Sequence, residues 1–228
     1  MHNPRLENGQ LNPFFHWAYK TRANTVKALA AGEEMRPEKV FLSFTSHDPV
    51  FLSHGPAGLN GSVKGIGFIP QTAYLEEALA EYIAHIKTYQ PGDKTYSRRG
   101  LNLLMKWLYS EEAEQTIDFG HIYSVEMAFN HSWANYQVNP EATLLFYQPP
   151  MRSFEVRGTM EIIGQPHAPG SIAPTDLPLI QQFINAQHDV YHAPNMDRWV
   201  TRPAYRFTVE EIFDNSASRQ GFGTPIPY

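Results

Sequence analysis

The residues best equipped to handle a ligand are Asn130–His131–Ser132–Trp133–Ala134–Asn135, where amide, imidazole, hydroxyl and indole groups follow one another at the end of an extended run. Donors and free backbone N–H groups at a strand-to-helix junction suit an anion such as a phosphate. The same residues also read as an ordinary helix cap with Trp133 in the core. A second candidate is the pair His188 and His192, four apart on an expected helix and so projecting from one face, as two ligands of a metal or haem iron would. Leu177, Ile180 and Ile184 share that face, so core or interface packing explains His188 equally well. Arg157 lies mid-strand in the run FEVRG, with Glu155 and Thr159 on its own face and Phe154, Val156 and Gly158 on the other. It reads either as a charge facing a partner or as the mate of Glu155.

These groups need elements to hold them. Residues 121–129, 142–147 and 153–163 are rich in β-branched and aromatic residues and read as three strands. Asn139–Pro140 and Pro149–Pro150 punctuate them, because the residue before a proline is driven away from helix. Residues 131–138 form a short helix between the first two strands. Upstream, Asn12 and Pro13 mark the start of a helix that ends at Gly32. Residues 39–45 and 50–53 read as strands, 55–61 (GPAGLNG) as a loop, and 62–69 as a strand weakened by glycine. Residues 72–89 are the clearest helix, with Leu75, Leu79, Tyr82, Ile83 and Ile86 at helical spacing. Residues 101–116 lean to helix, 176–191 form a helix capped by Thr175, and 199–213 alternate as a strand broken at Pro203. Residues 215–228 have the composition of an extended tail. Strands with helices added at several points predict an α+β fold, a single domain over residues 1–228, rather than an alternating βαβ sheet.

Composition narrows the chemistry. The chain has 228 residues, a net charge of −5 and no clustered basic block, which excludes a nucleic-acid surface. No apolar run approaches the roughly 18–20 residues of a membrane span. The first residues lack the basic-then-apolar order of a secretory signal, so a cytoplasmic location is expected. With no cysteine there is no thiolate nucleophile and no cysteine-ligated metal. Dinucleotide, phosphate-loop and nucleophile-elbow signatures are missing. Aromatic residues reach 13%, which fits a β-rich core and also a planar ligand or an oligomer interface.

The order of strand, polar turn, short helix, Asn139–Pro140, ATLLFY and a strand bearing Val156–Arg157–Gly158 resembles the pyridoxamine 5′-phosphate oxidase-like family of FMN-binding split barrels. The resemblance covers residues 120–163. It implies a split β-barrel of mostly antiparallel strands with peripheral helices, residues 72–116 being a helical insertion relative to compact members. It further implies a homodimer, FMN in clefts at the dimer interface, and redox chemistry on a small, planar or aromatic substrate. On that pattern the cofactor-binding residues are Asn130, His131, Ser132, Trp133, Arg99, Lys64 and Arg157. Ser132 occupies the position where the family commonly has a lysine on the FMN phosphate. Arg98, Arg99 and Lys64 are the candidates to restore the missing charge. His131 or Tyr123 would orient or protonate the substrate. The tryptophan and arginine of true pyridoxamine phosphate oxidases are echoed only loosely by Arg198–Trp199 and Arg202, which argues against pyridoxamine phosphate as substrate. Two alternatives stand beside the FMN enzyme. One is a haem-binding or haem-degrading split barrel using His188 or His192, with no metal site otherwise expected; the other is a non-catalytic dimer that binds a ligand through its aromatic surface.

Overall fold

The computed structural model describes residues 4–228. Helix α1 (Pro13–Ala31) starts and stops where the sequence places it: the Asn12 side chain accepts from the Phe15 amide, Pro13 takes the first position, and Gly32 closes the helix at φ 77°. Residues 39–45 are a helix, α2 (Pro37–Phe44), and not the expected strand. Pro37 presets the first helical φ and Glu38 complements the dipole, which decides a run too short for its periodicity to decide. Phe41, Leu42 and Phe44 stay exposed on it.

β1 (Val50–Gly55) and β2 (Gly58–Val63) form a hairpin, so the glycine-rich stretch is a tight turn leading into a strand, with Gly58 at φ 80°. β3 (His121–Val125), β4 (Glu141–Gln148), β5 (Arg152–Ile163), β6 (Ala204–Asp214) and β7 (Thr224–Pro225) complete an antiparallel sheet of seven strands. Its order is β2-β1-β4-β5-β6-β3, with β7 beside β6. The chain leaving β2 crosses to the opposite edge. There Gly67 and Tyr123 exchange both backbone hydrogen bonds, 2.8 and 2.9 Å, and Asp118 N–H donates to the Ile69 carbonyl at 3.0 Å. The sheet therefore closes through isolated bridges and not through a full strand pair. It is a split barrel of the α+β class.

Leu144, Phe146, Val156, Phe207 and Ile212 fill the interior. α1 plugs one end, with Phe14 edge-on to Phe146 and Phe154 at 5.0 and 5.6 Å and Trp17 against Phe154 at 5.3 Å. Much of the aromatic content is therefore barrel core. Residues 72–116 form α3 (Thr72–Ile86), α4 (Tyr96–Leu104), a π-helical turn (Met105–Tyr109) and α5 (Glu111–Glu114). α3 packs on α7 (Leu179–Asp189), with Tyr82 stacked on Phe183 at 5.1 Å. Thr175 does not cap α7; it lies in a 3-10 turn, Pro174–Asp176, and Pro178 precedes the helix. Trp199 belongs to a helix, α8 (Met196–Thr201), rather than to the strand after Pro203. Asp189 explains why: its buried carboxylate accepts from the Trp199 indole and the Asn195 amide, each at 2.9 Å, and binds Arg198.

β5 and β6 slip register between Arg157 and Gly158, and a Cβ on Gly158 would stand 1.9 Å from the Thr208 carbonyl oxygen. Only glycine allows that approach. Gly158→Ala is expected to lower stability by about 1–3 kcal/mol, the usual cost of forcing atoms into a packed core, read as a lower urea midpoint at unchanged slope.

Candidate functional site

α6 (His131–Tyr136) is fastened to the β1–β2 hairpin by its own polar side chains. Asn135 is fully buried; its amide donates to Ser53 Oγ at 3.1 Å and the Gly58 carbonyl at 2.9 Å, and its oxygen accepts from Ala57 N–H at 2.9 Å. A Cβ on Gly55 would meet the Asn135 Cα at 2.9 Å, so the hairpin turn requires glycine there. Ser132 Oγ accepts from Asn60 Nδ2 and shares a bond with Ser62 Oγ, both at 2.9 Å. Two of the polar groups in the first candidate cluster thus serve as a clamp. Asn130 and His131 are exposed, and Trp133 is half-buried, edge-on to Phe129 at 5.1 Å.

Between β3 and α6 lies a buried carboxylate that the sequence did not single out. Glu126 is 1% exposed. One oxygen accepts from the Ala128 and Phe129 amides at 2.5 and 2.6 Å; the other accepts from the Tyr205 hydroxyl and faces Lys64 Nζ at 3.6 Å. Burial opposes its ionisation, but the Tyr205 bond, the Lys64 charge and the two amides outweigh burial and hold the carboxyl below its ordinary value. Burial and then Glu126 push the Tyr205 phenol far up, so it stays a neutral donor. Lys64, read as a phosphate cation, is already neutralised by Glu126 and lies over the Tyr205 ring at 5.6 Å. The only signal for Glu126 was a lone acid inside the run YSVEMAF.

Phe129 adopts φ 50°, turned by the bonds to Glu126, and its ring lies 5.2 Å from the Arg202 guanidinium carbon. The Arg202 carbonyl accepts from Asn185 and Gln181, at 3.0 and 3.2 Å, which fixes its backbone. Its buried Nε has no hydrogen-bond partner, and among the described residues no carboxylate pairs with it. Arg202 is thus brought to the corner that α6 and the β3–α6 loop form.

The remaining candidates lie elsewhere. Arg99 on α4 binds Asp93 at 2.9 Å and Thr95. Arg157 is half-exposed on the barrel's outside, bonded to Glu155 at 2.6 Å, near Glu211 at 3.8 Å and over Phe213 at 4.6 Å; the ion-pair reading is the observed arrangement. The Tyr123 hydroxyl donates to Asp118 at 2.8 Å. His188 Nδ1 lies 3.0 Å from Asp189, and its ring centre is 5.0 Å from that of His192, which follows α7. Burial, then the charge of His188, lowers the His192 pKa. Among the described residues no group of three or more His, Cys, Asp or Glu could hold a metal ion, and no helix is long and apolar enough to cross a membrane.

The strand order and bridged seam thus define the class, an α+β split barrel with an arginine-bearing aromatic corner. No family model and no curated protein matches the sequence. Among solved structures, HupZ of Group A Streptococcus is 10% identical over 84% of this chain and 98% of that chain, with a TM-score of 0.43. HutZ of Vibrio cholerae, described as a heme storage protein, is 11% identical over 79% of this chain and 95% of its own, TM-score 0.40. A pyridoxamine 5′-phosphate oxidase-related, FMN-binding protein of Nostoc punctiforme is 9% identical over 78% and 84%, TM-score 0.35. At such values the fold assignment rests on this barrel's own strand order.

Glu126 yields a pH test. Its folded-state pKa lies below the unfolded one, so its contribution is present above the ordinary glutamate pKa of about 4.3 and is lost as pH falls through the folded value. Glu126→Gln is expected to cost about 3 kcal/mol at neutral pH, as for breaking a buried ion pair. Urea titrations at successively lower pH should show the gap to the unmodified protein narrowing; a constant gap would assign the effect to packing.

Proposed function

We propose that this split barrel is an FMN-dependent oxidoreductase acting on a small planar or aromatic substrate, with the cofactor phosphate received at the corner between β3 and α6. The observation that supports it is Arg202, a guanidinium without a carboxylate partner among the described residues, with a buried unpartnered Nε, beside Phe129, whose ring packs against Trp133. A charge left uncompensated in partly buried surroundings favours an anion. Among the described residues the donor set fits a phosphate with one free cation, Arg202, in place of the several that the resemblance implies. Arg202 supplies the charge, exposed His131 a further donor, and Phe129 and Trp133 an apolar wall, while Lys64 and Ser132 are engaged within the protein.

Bound FMN would supply hydride or single-electron transfer. The chain's part is to hold and orient. The bonds of Glu126 to Ala128 and Phe129 fix the loop, and Tyr205 and Lys64 keep that carboxylate ionised and in place. Because Asp118 engages Tyr123, His131 is the group left to pass a proton to a substrate. The outer face of the β1–β2–β4 sheet carries exposed Leu59, Val63 and Tyr147. An apolar face of this kind suits the homodimer of this reading, in which a second copy completes the cleft.

Titrating the purified protein with FMN should produce a bound-flavin absorption spectrum. Arg202→Ala should weaken FMN binding by about tenfold or more, the value of one charge-assisted bond, while leaving riboflavin, which lacks the phosphate, unaffected. A protein that stays colourless with FMN would overturn the proposal, and FMN binding without turnover in a broad redox screen would make the barrel a ligand-binding module.

A haem reading has its own observation. His188 Nδ1 is oriented by a buried carboxylate, Asp189, as metal-ligating imidazoles commonly are, and His192 stands beside it. A Soret band on haem titration that His188→Ala abolishes would favour it over flavin.

A further inference from the structure

α1, the β4–β5 turn and the chain after β6 enclose a cleft of about 750 Å³, within the range of small-molecule sites. Neither the corner residues nor the histidine pair lines it. Its walls are well fixed. Ser153 N–H donates to Ser216 Oγ at 3.1 Å, Ala217 N–H to the Met151 carbonyl at 3.0 Å, and the Tyr147 hydroxyl to the Pro150 carbonyl at 3.2 Å. Trp17 and Phe154 form an aromatic floor, and Pro149, Pro150 and Met151 an apolar side. Of the charged residues lining it, Lys20 is bonded to Glu114, and Asp214 accepts from Ser216 N–H at 2.8 Å. Arg152 has neither a carboxylate partner nor a side-chain hydrogen bond among the described residues; its guanidinium carbon lies 5.8 Å from the Trp17 ring. The buried Trp17 Nε1 has no acceptor.

An exposed cation–π contact is weak and leaves the guanidinium N–H groups without an acceptor. A carboxylate can answer those N–H groups in a bidentate pair, which the indole face cannot. Where Arg152 swings aside to a carboxylate, the Trp17 ring is left as a flat aromatic surface for a planar group. We propose that this cleft is a binding site for a small aromatic carboxylate. The carboxylate engages Arg152, and the ligand ring replaces the guanidinium over Trp17, flanked by Pro150 and Met151. The site is independent of the flavin corner.

Benzoate is the probe and benzyl alcohol the uncharged control, followed by the indole N–H resonance of Trp17, which Trp17→Phe assigns by its loss. Benzoate should shift that resonance saturably while benzyl alcohol does not. Arg152→Gln should weaken benzoate by about tenfold, the equivalent of one such bond at 1.4 kcal/mol, and Arg202→Ala should leave it unchanged. A Trp17 resonance that does not move, equal response to the alcohol, or full affinity in Arg152→Gln would each overturn the assignment. None of these outcomes depends on whether FMN binds.

Discussion

The buried carboxylate of Glu126 is the interaction on which the rest of the candidate corner depends. An ion at 1% exposure persists only if every lone pair is answered, because leaving a charge bare in the interior costs several kcal/mol. The partners that answer it come from three separate segments: Lys64 from the chain leaving β2, Tyr205 from β6, and the Ala128 and Phe129 amides from the loop before α6. The same bonds therefore tie the barrel's seam to its last long strand and to the loop that carries Phe129. Phe129 then adopts φ 50°, a conformation a bulky residue holds only when its surroundings impose it. Phe129 so turned packs against Trp133 at 5.1 Å and lies 5.2 Å from the Arg202 guanidinium carbon.

The second constraint is the plug of α1. A barrel that closes through isolated bridges leaves an end to be filled, and Phe14, Phe15 and Trp17 fill it with large rigid surface. Fixing one face of α1 against the barrel fixes the opposite face as well. His16 and Lys20 are thereby set facing the 148–152 turn, and the cleft between them follows from the helix register. The fold thus makes the corner by satisfying a charge and the cleft by satisfying an aromatic interior.

The sequence was most legible where one local rule decides. Asn12–Pro13 and Gly32 bounded α1, and Asn139–Pro140 and Pro149–Pro150 parted the three strands that became β3, β4 and β5. It was least legible where tertiary partners decide. Residues 39–45 read as a strand by residue type, yet Pro37 at the helix start and Glu38 in its first turn make them helix. The cluster at 130–135 was found by residue type, but type does not say that Ser132 and Asn135 face the β1–β2 hairpin. Glu126 is not legible at this level, because a single acid in an apolar run gives no hint of the three segments that answer its charge.

Charge placement shows why residue type and spacing could not settle which cations are available. Lys64, Arg99 and Arg157 are each bound to a carboxylate, at 3.6, 2.9 and 2.6 Å respectively. Only Lys64 shares its partner with the candidate corner. Arg202 and Arg152 have no such partner among the described residues, and each lies over an aromatic ring instead, Phe129 and Trp17. A guanidinium over a ring keeps its planar N–H donors free, since a cation–π contact engages the charge and not the donors. The two arginines thus remain able to bind anions at opposite kinds of surface, one in a charge-ordered corner and one in an aromatic cleft. An anion that reached either would gain a charge-assisted bond without first breaking an ion pair, which Arg157 and Lys64 would have to do.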